Sequence, residues 1–95
     1  MTIQASKFNE RLAFWTARTS DTASALRAMA HDVELAPYFD QADVAAIVGV
    51  EANTVKCWRA RKQGPAHVSI SYACVRYPRA EFCFWLAERH AREAA

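Results

Sequence analysis

Apolar residues recur at helical spacing through the first third of the chain and predict two helices. The first is expected to begin at about Ser6, which serves as its N-cap, and to end near Arg18. The residues expected on its apolar stripe are Phe8, Leu12 and Trp15. Such a stripe packs against a protein core rather than facing water.

The second predicted helix runs from Thr22 to about Leu35, with Asp21 as its N-cap and Pro37 as its stop. The residues expected to face inward are Leu26, Met29, Ala30 and Val33. Together the two helices form a helical hairpin within residues 1–37. We expect this hairpin to cover the core, and a dimerisation or partner-binding arm is the alternative.

The stretch from Gln41 to Gly64 predicts two short helices around a tight turn, followed by basic residues. Asp40 caps the first helix, and Gly49 ends it because glycine accepts a positive φ. The second runs from about Ala52 to Lys62. The residues expected to be buried are Val44, Ala45 and Val48 in the first helix and Val55 and Trp58 in the second. This arrangement is typical of a helix-turn-helix.

After Gly64-Pro65 the apolar period changes from helical to alternating, which predicts a two-stranded β-hairpin over residues 67–77. The turn, expected at Ser71 to Ala73, has no glycine or asparagine, so we expect a loop longer than two residues. The residues expected on one face are Val68, Ile70, Val75 and Tyr77, and those on the other are His67, Ser69, Cys74 and Arg76.

A last helix is predicted from about Arg79 to Arg92. Its expected core face consists of Phe82, Trp85 and Leu86, and Phe84 is expected to contact the N-terminal hairpin. The pattern therefore predicts a mainly α fold with a small two-stranded β-hairpin. We expect one domain of residues 1–95, divided into the N-terminal helical hairpin (1–37) and a helix-turn-helix with its β-hairpin wing (38–95).

The charge of the chain is concentrated in one segment. The 95 residues carry 12 basic and 10 acidic side chains, a net charge of +2. Residues 1–51 sum to −3, residues 52–79 to +6 without an acid, and residues 80–95 to −1. A basic segment between acidic flanks favours a single surface that binds a polyanion.

Other classes of function find little support in the composition. The three cysteines (Cys57, Cys74 and Cys83) form no CxxC motif, and with three scattered histidines they give no zinc-ligand spacing. We therefore expect no metal, no cofactor and free thiols. No apolar run approaches the ~20 residues that span a bilayer, and the start of the chain is charged where a signal peptide is apolar. We expect a cytoplasmic protein, and not an enzyme, since no nucleophile–base pair or phosphate loop is present.

The order of elements resembles a known family. The carrying residues are DQADVAAIVGV, NTVKCWRARKQGP, VSI and VRYPRAEFCFWL, within about Tyr38 to Arg89. They resemble the excisionase-like winged-helix proteins, which are related to the DNA-binding domain of MerR-type regulators. The resemblance implies a winged helix-turn-helix fold and a small phage, plasmid or chromosomal-island protein, acting in a bacterial cytoplasm or a phage-infected cell.

The resemblance also implies a function. Such proteins bind and bend duplex DNA at integrase attachment sites, or they regulate nearby promoters. It implies cooperative binding of several copies on DNA, with an integrase or recombinase as a candidate partner. This chain has Glu51 where the family usually has Ser or Thr, and a hairpin tip without the usual glycine and arginine. The alternative is therefore a protein-interaction module that keeps the winged-helix fold without DNA binding.

Particular residues are candidates for DNA contact. Asn53 and Lys56 lie one turn apart on the exposed side of the predicted helix from Ala52 to Lys62. In the major groove, Asn can pair with adenine and Lys with guanine. Cys57 is a candidate for contact with a thymine methyl group, and a redox switch is its alternative. The residues suited to the phosphate backbone are Thr54, Arg59, Arg61, Lys62 and Arg76.

Overall fold

Helices dominate the computed structural model, which describes residues 2–94. The elements in chain order are α1 (Ile3–Thr16), α2 (Thr22–Met29), β1 (Tyr38–Phe39), α3 (Gln41–Val48), α4 (Ala52–Ala60), β2 (Val68–Ser71), β3 (Cys74–Pro78) and α5 (Arg79–Ala94). The prediction of a mainly α fold is confirmed. None of these helices combines the length and the apolar character needed to cross a bilayer, within the part of the chain described.

The sheet has three antiparallel strands in the order β1-β3-β2, whereas the sequence predicted only two. Strand β1 places Tyr38 opposite Pro78 and Phe39 opposite Tyr77. The backbone N–H of Arg79 continues this pairing by donating to the Pro37 carbonyl at 2.8 Å. Two residues are too few to show an alternating pattern, so the sequence could not indicate β1. Its pairing with β3 defines it as a strand.

The N-cap of helix α1 lies four residues earlier than predicted. The Oγ1 atom of Thr2 accepts a hydrogen bond from the Ala5 backbone N–H at 3.0 Å, so Thr2 and not Ser6 is the N-cap. Ser6 lies inside the helix, and its N–H bonds to the Thr2 carbonyl at 3.0 Å. Threonine and serine both favour the N-cap position. The apolar stripe of Phe8, Leu12 and Trp15 packs in or against the core.

Helix α2 begins as predicted, since the Asp21 carboxylate accepts from the Ser24 N–H at 2.7 Å. It ends at Met29, however, and not near Leu35. Beyond it the chain turns, so that Leu35 is buried while Val33 is 86% exposed. The prediction that Val33 faces inward was therefore wrong.

Asp32 explains this early end. Its Oδ2 atom accepts from Arg11 Nε at 2.6 Å and from Trp15 Nε1 at 2.8 Å, and its Oδ1 atom accepts from the Glu34 backbone N–H at 2.9 Å. A carboxylate that bonds the N–H two residues ahead favours a turn over a helix. Burial alone would raise the pKa of Asp32, but these hydrogen bonds outweigh it and hold the pKa below its ordinary value.

The core joins the N-terminal helices to the rest of the chain. Phe8 of α1, Phe39 of β1 and Phe82 of α5 meet with ring centroids 5.5 to 6.1 Å apart. As predicted, Phe84 contacts the N-terminal part, since its ring lies 6.0 Å from that of His31. Such edge contacts between rings add to the area they bury. Helix α5 runs past its predicted end to Ala94.

Helices α3 and α4 form as predicted around Gly49, whose φ is +86°. Asp40 and Asp43 make a reciprocal capping box at the start of α3. Helix α4 ends at Ala60 rather than Lys62, because Lys62 takes a left-handed φ of 56°. The next residue, Gln63, then donates its N–H to the Trp58 carbonyl at 2.7 Å and closes the helix.

The hairpin turn and its faces differ from prediction. Ser71 lies opposite Cys74, so the turn has two residues and the expected longer loop was wrong. Val68 lies opposite Arg76, and Ser69 opposite Val75. Directly opposed residues share a face, so the apolar residues of β2 do not join Val75 and Tyr77, and Val68 and Ile70 are exposed. Turn length sets register, and a one-residue change exchanges the two faces of a strand.

Candidate nucleic-acid interface

A groove of about 780 Å³ lies between α4 and the β2–β3 hairpin. The side chains that give it its chemistry are Lys56 and Arg59 from α4, Ser69, Ser71 and Tyr72 from β2 and the turn, and Arg76 from β3. Three cations, two serine hydroxyls and a tyrosine therefore line one groove. The acid Asp40 also lines it, and its carboxylate accepts the Asp43 N–H in the α3 cap at 2.8 Å.

Arg59 is held in place at the junction of three elements. Its Nη1 atom donates to Gln41 Oε1 of α3 at 2.8 Å and to the hydroxyl of Tyr77 in β3 at 2.9 Å. A guanidinium carries five N–H groups in a rigid fork, so two bonds from Nη1 leave the Nε and Nη2 donors outside this pair of contacts. Arg59 can thus be fixed by the fold and still present a donor to the groove.

The other two cations approach from opposite walls. Lys56 is exposed on α4. Arg76 is half-buried on β3, and its Nη1 atom donates to the Val75 carbonyl at 2.9 Å. The sequence predicted all three as DNA contacts, and the fold brings them to one place. The sequence did not point to Ser69 and Ser71 as contacts, because nothing in the pattern distinguishes these serines until the fold places them beside Lys56, Arg59 and Arg76.

The remaining predicted contacts lie outside the groove lining. Asn53 and Cys57 are both exposed on α4, with Asn53 Nδ2 3.9 Å from Cys57 Sγ. Arg61 and Lys62 are exposed just beyond the end of α4, and Thr54 is half-buried. These residues lie on α4 or just after it, and none of them lines the groove.

Two residues modify the charge that the sequence suggested. Arg79 belongs to the basic segment, but its Nε and Nη1 atoms donate to the carbonyls of Ala30 and Leu35 at 3.1 and 2.9 Å. It therefore ties α5 to the turn after α2 instead of serving a surface. Glu51, in contrast, is exposed at the N-cap of α4 and makes no side-chain capping bond.

A second cavity, of about 640 Å³, is lined by Trp58, Trp85 and Arg89 among others. The two indole rings lie 5.6 Å apart, and the Arg89 guanidinium stands 5.7 and 5.2 Å from their centroids. Arg89 also pairs with Glu93 at 3.2 Å. Its charge is thus already balanced by a carboxylate and two rings. The groove beside α4 is the better candidate for a polyanion.

The cysteines differ in access. Cys57 is exposed, Cys74 is half-buried and Cys83 is buried. Burial raises the pKa of the Cys83 thiol to about 12, so this thiol stays neutral near pH 7. Residues 2–94 contain no group of three His, Cys, Asp or Glu side chains placed to hold a metal ion.

No known protein family, characterised protein or solved structure matches this chain. Function is therefore inferred from the geometry and charge of the groove. Lys56, Arg59 and Arg76 present cations from two walls, and Ser69 and Ser71 line the same groove. Arginine, lysine and serine are the side chains that most often contact the phosphates of nucleic acids.

Proposed function

We propose that this protein binds duplex DNA, with one phosphodiester strand in the groove between α4 and the β2–β3 hairpin. The observation that supports this is the meeting of Lys56, Arg59 and Arg76 with two serine hydroxyls in that groove. Cations that neutralise phosphates release counterions and supply most of the affinity for DNA. Arg59 and Arg76 contact the phosphates of this strand from opposite walls of the groove, and Lys56 extends from α4 to the base edges beside it.

This placement assigns each wall to one groove of the duplex. A strand of a duplex separates the major groove on one side from the minor groove on the other. Helix α4 is narrow enough to enter the major groove, which is ~12 Å wide. Its exposed residues Asn53, Lys56 and Cys57 then face base edges, and the hairpin lies over the minor groove. Arg61 and Lys62 follow α4 toward the backbone.

We propose a winged helix-turn-helix protein of the excisionase-like kind as the specific role. It acts in the cytoplasm as an architectural factor for site-specific recombination or as a regulator of mobile-element promoters. An integrase or a second copy of the chain is its candidate partner on DNA. The order of α3, turn, α4, hairpin and α5 supports this role, because it is the order that the resemblance implies.

A second candidate is a protein-interaction module without DNA binding. Its support comes from β2, where Val68 and Ile70 are exposed, and from Glu51, which places a negative charge at the start of α4. An exposed edge strand with apolar side chains can pair with another chain. Both candidates use the same fold, and DNA binding separates them.

A salt titration of duplex binding tests the proposal. Phosphate contacts by Arg59, Arg61, Lys62 and Arg76 predict that log Kobs falls against log[salt] with a slope of about −3.6 for any mixed-sequence 20-bp duplex. Arg76→Ala should reduce the slope to about −2.7. Lys7→Ala removes the same charge in α1, far along the chain from the groove, and should leave the slope unchanged.

No detectable binding of random or genomic duplexes at low salt would refute DNA binding and favour the interaction module. If binding is found, selection of bound genomic fragments separates the two DNA roles. Fragments beside an integrase attachment site favour recombination, and fragments that overlap a promoter favour regulation.

A further inference from the structure

The tip of the hairpin presents an apolar side chain to solvent. Tyr72 has a relative accessibility of 105%, the highest among the exposed large hydrophobic residues. Ile70, two residues before it, is 68% exposed. Residues 71–74 carry no charge. The tip therefore has no cation that could pair with a phosphate. It also exposes apolar surface that makes no contribution to the core, and such surface often marks a binding site.

Tyr72 is at the same time part of the groove. It lines the groove together with Lys56, Arg59 and Arg76. Tyr72 therefore lies next to the positive surface of the groove. An occupant that contacts both must be a polyanion that also offers aromatic or apolar surface. A nucleic acid has both, in its phosphates and its bases.

We infer that Tyr72 is a wedge that enters the base stack of DNA from the minor groove, an inference that rests on the proposed DNA binding. With the strand in the groove and α4 on its major-groove side, the hairpin tip lies on the minor-groove side. Minor-groove proteins insert apolar side chains between base steps, unstack them and kink the duplex. An aromatic ring also stacks on bases without regard to sequence.

The backbone of the hairpin suits this role. The turn has only two residues, Tyr72 and Ala73, so the ring stands at the end of a narrow two-stranded ribbon. The strand register shifts between Ser69 and Ser71, which leaves Ile70 without a directly opposed residue on β3. A bulge of this kind bends a strand and changes the direction of its side chains. Ile70 thus provides a second apolar group beside the wedge.

The test compares two 20-bp duplexes of one sequence, one fully paired and one with a central T·T mismatch. Unstacking is least costly at a mismatch, so the wild-type protein should bind the mismatched duplex roughly tenfold more tightly. Tyr72→Ala should bind both duplexes equally. Tyr72→Phe should keep the preference for the mismatched duplex, because stacking on bases does not need the hydroxyl. Tyr38→Ala, an exposed tyrosine on the opposite edge strand, is the matched control and should keep the preference.

Energy transfer between dyes at the duplex ends gives a second readout. Wild-type protein should shorten the end-to-end distance of the paired duplex, and Tyr72→Ala should not. Tyr72 is fully exposed, so thermal unfolding of Tyr72→Ala should match the wild type. Equal wild-type affinity for both duplexes, without bending, would overturn the wedge and leave DNA binding intact. Failure to bind either duplex overturns both proposals.

A role of Tyr72 between copies of the chain gives a different result. In that case Tyr72→Ala would reduce self-association in sedimentation velocity while keeping any mismatch preference. That outcome overturns the wedge. Loss of the preference with an unchanged sedimentation profile supports it.

Discussion

The Nη1 atom of Arg59 donates a hydrogen bond to the hydroxyl of Tyr77 at 2.9 Å, which ties α4 to β3. Tyr77 is itself buried and pairs across the sheet with Phe39 of β1. Gln41 of α3 accepts from the same nitrogen at 2.8 Å. The position of α4 relative to the hairpin, and hence the width of the groove, is therefore set in part by one side chain.

Tyr77→Phe tests this tie. The change keeps the ring and removes the hydroxyl acceptor, so Arg59 keeps only Gln41 as a partner. We expect a loss of about 1 kcal/mol in the free energy of unfolding, measured by urea denaturation. We also expect roughly three- to tenfold weaker binding to specific and random duplexes alike, because Arg59 and α4 are less well ordered before binding.

Tyr38→Phe is the control for Tyr77→Phe, since it removes a hydroxyl from an exposed tyrosine on the edge strand β1, whereas Tyr77 lies on the central strand β3. It should change neither quantity. If Tyr77→Phe binds duplexes as the wild type does, Arg59 is not held for DNA binding by Tyr77, and the tie serves stability alone.

The two glycines offer a matched pair for the backbone. Gly49 and Gly64 have φ values of +86° and +80°, so alanine is strained at both. A Cβ at Gly49 meets nothing within 4 Å, whereas one at Gly64 would stand 3.1 Å from Cβ and Cε3 of Trp58. We expect Gly49→Ala to cost about 1 kcal/mol and Gly64→Ala about 2–3 kcal/mol in urea denaturation. Equal losses would mean that Trp58 moves aside without cost.

Asp32→Asn tests the buried carboxylate between α1 and the turn after α2. Asparagine keeps the shape and loses the charge that Arg11 pairs with at 2.6 Å. Breaking a buried ion pair on one side leaves the other charge poorly compensated, so we expect a loss of about 2–4 kcal/mol at pH 7. Glu10→Gln, which removes the exposed partner of Lys7 3.9 Å away, should change stability little.

The same carboxylate gives a dependence on pH. The pKa of Asp32 is lower in the folded chain than its ordinary value of 3.8. Its contribution to stability is therefore present above about pH 4 and is lost as the pH falls through the folded pKa. Wild-type stability should decline over this acid range more steeply than that of Asp32→Asn. Parallel declines of the two proteins would show that Asp32 binds its proton equally well folded and unfolded.

Local signals in the sequence were sufficient for much of the helical part. Asp21 and Asp40 cap α2 and α3, because each carboxylate accepts a hydrogen bond from the backbone N–H of the residue three positions ahead. Such a bond depends only on residues within one helical turn. Gly49 ends α3 because a positive φ is a property of a single residue. The five predicted helices are present, and the predicted caps Asp21, Asp40 and Gly49 are confirmed because each depends on neighbours within one turn.

Contacts between distant residues decided the rest. The Asp32 carboxylate accepts from the nearby Glu34 N–H in the turn after α2, and Arg11 and Trp15, about twenty residues away in the chain, hold the carboxylate in that position. Strand β1 exists because Phe39 lies opposite Tyr77. No window of sequence contains both members of such a pair, so neither result was open to a pattern of apolar spacing.

By itself, the sequence determined the two short helices α3 and α4 on either side of Gly49 and the concentration of positive charge in residues 52–79, because both depend on residues close together in the chain. Only the tertiary structure decided which cations share a surface. It turned Arg79 inward to the Ala30 and Leu35 carbonyls, fixed Arg59 against Tyr77, and brought Arg76 across from Lys56. The physical reason is that the amount of charge is a property of composition. The direction in which a charged side chain points depends instead on strand register and on which buried carbonyls need a hydrogen-bond donor.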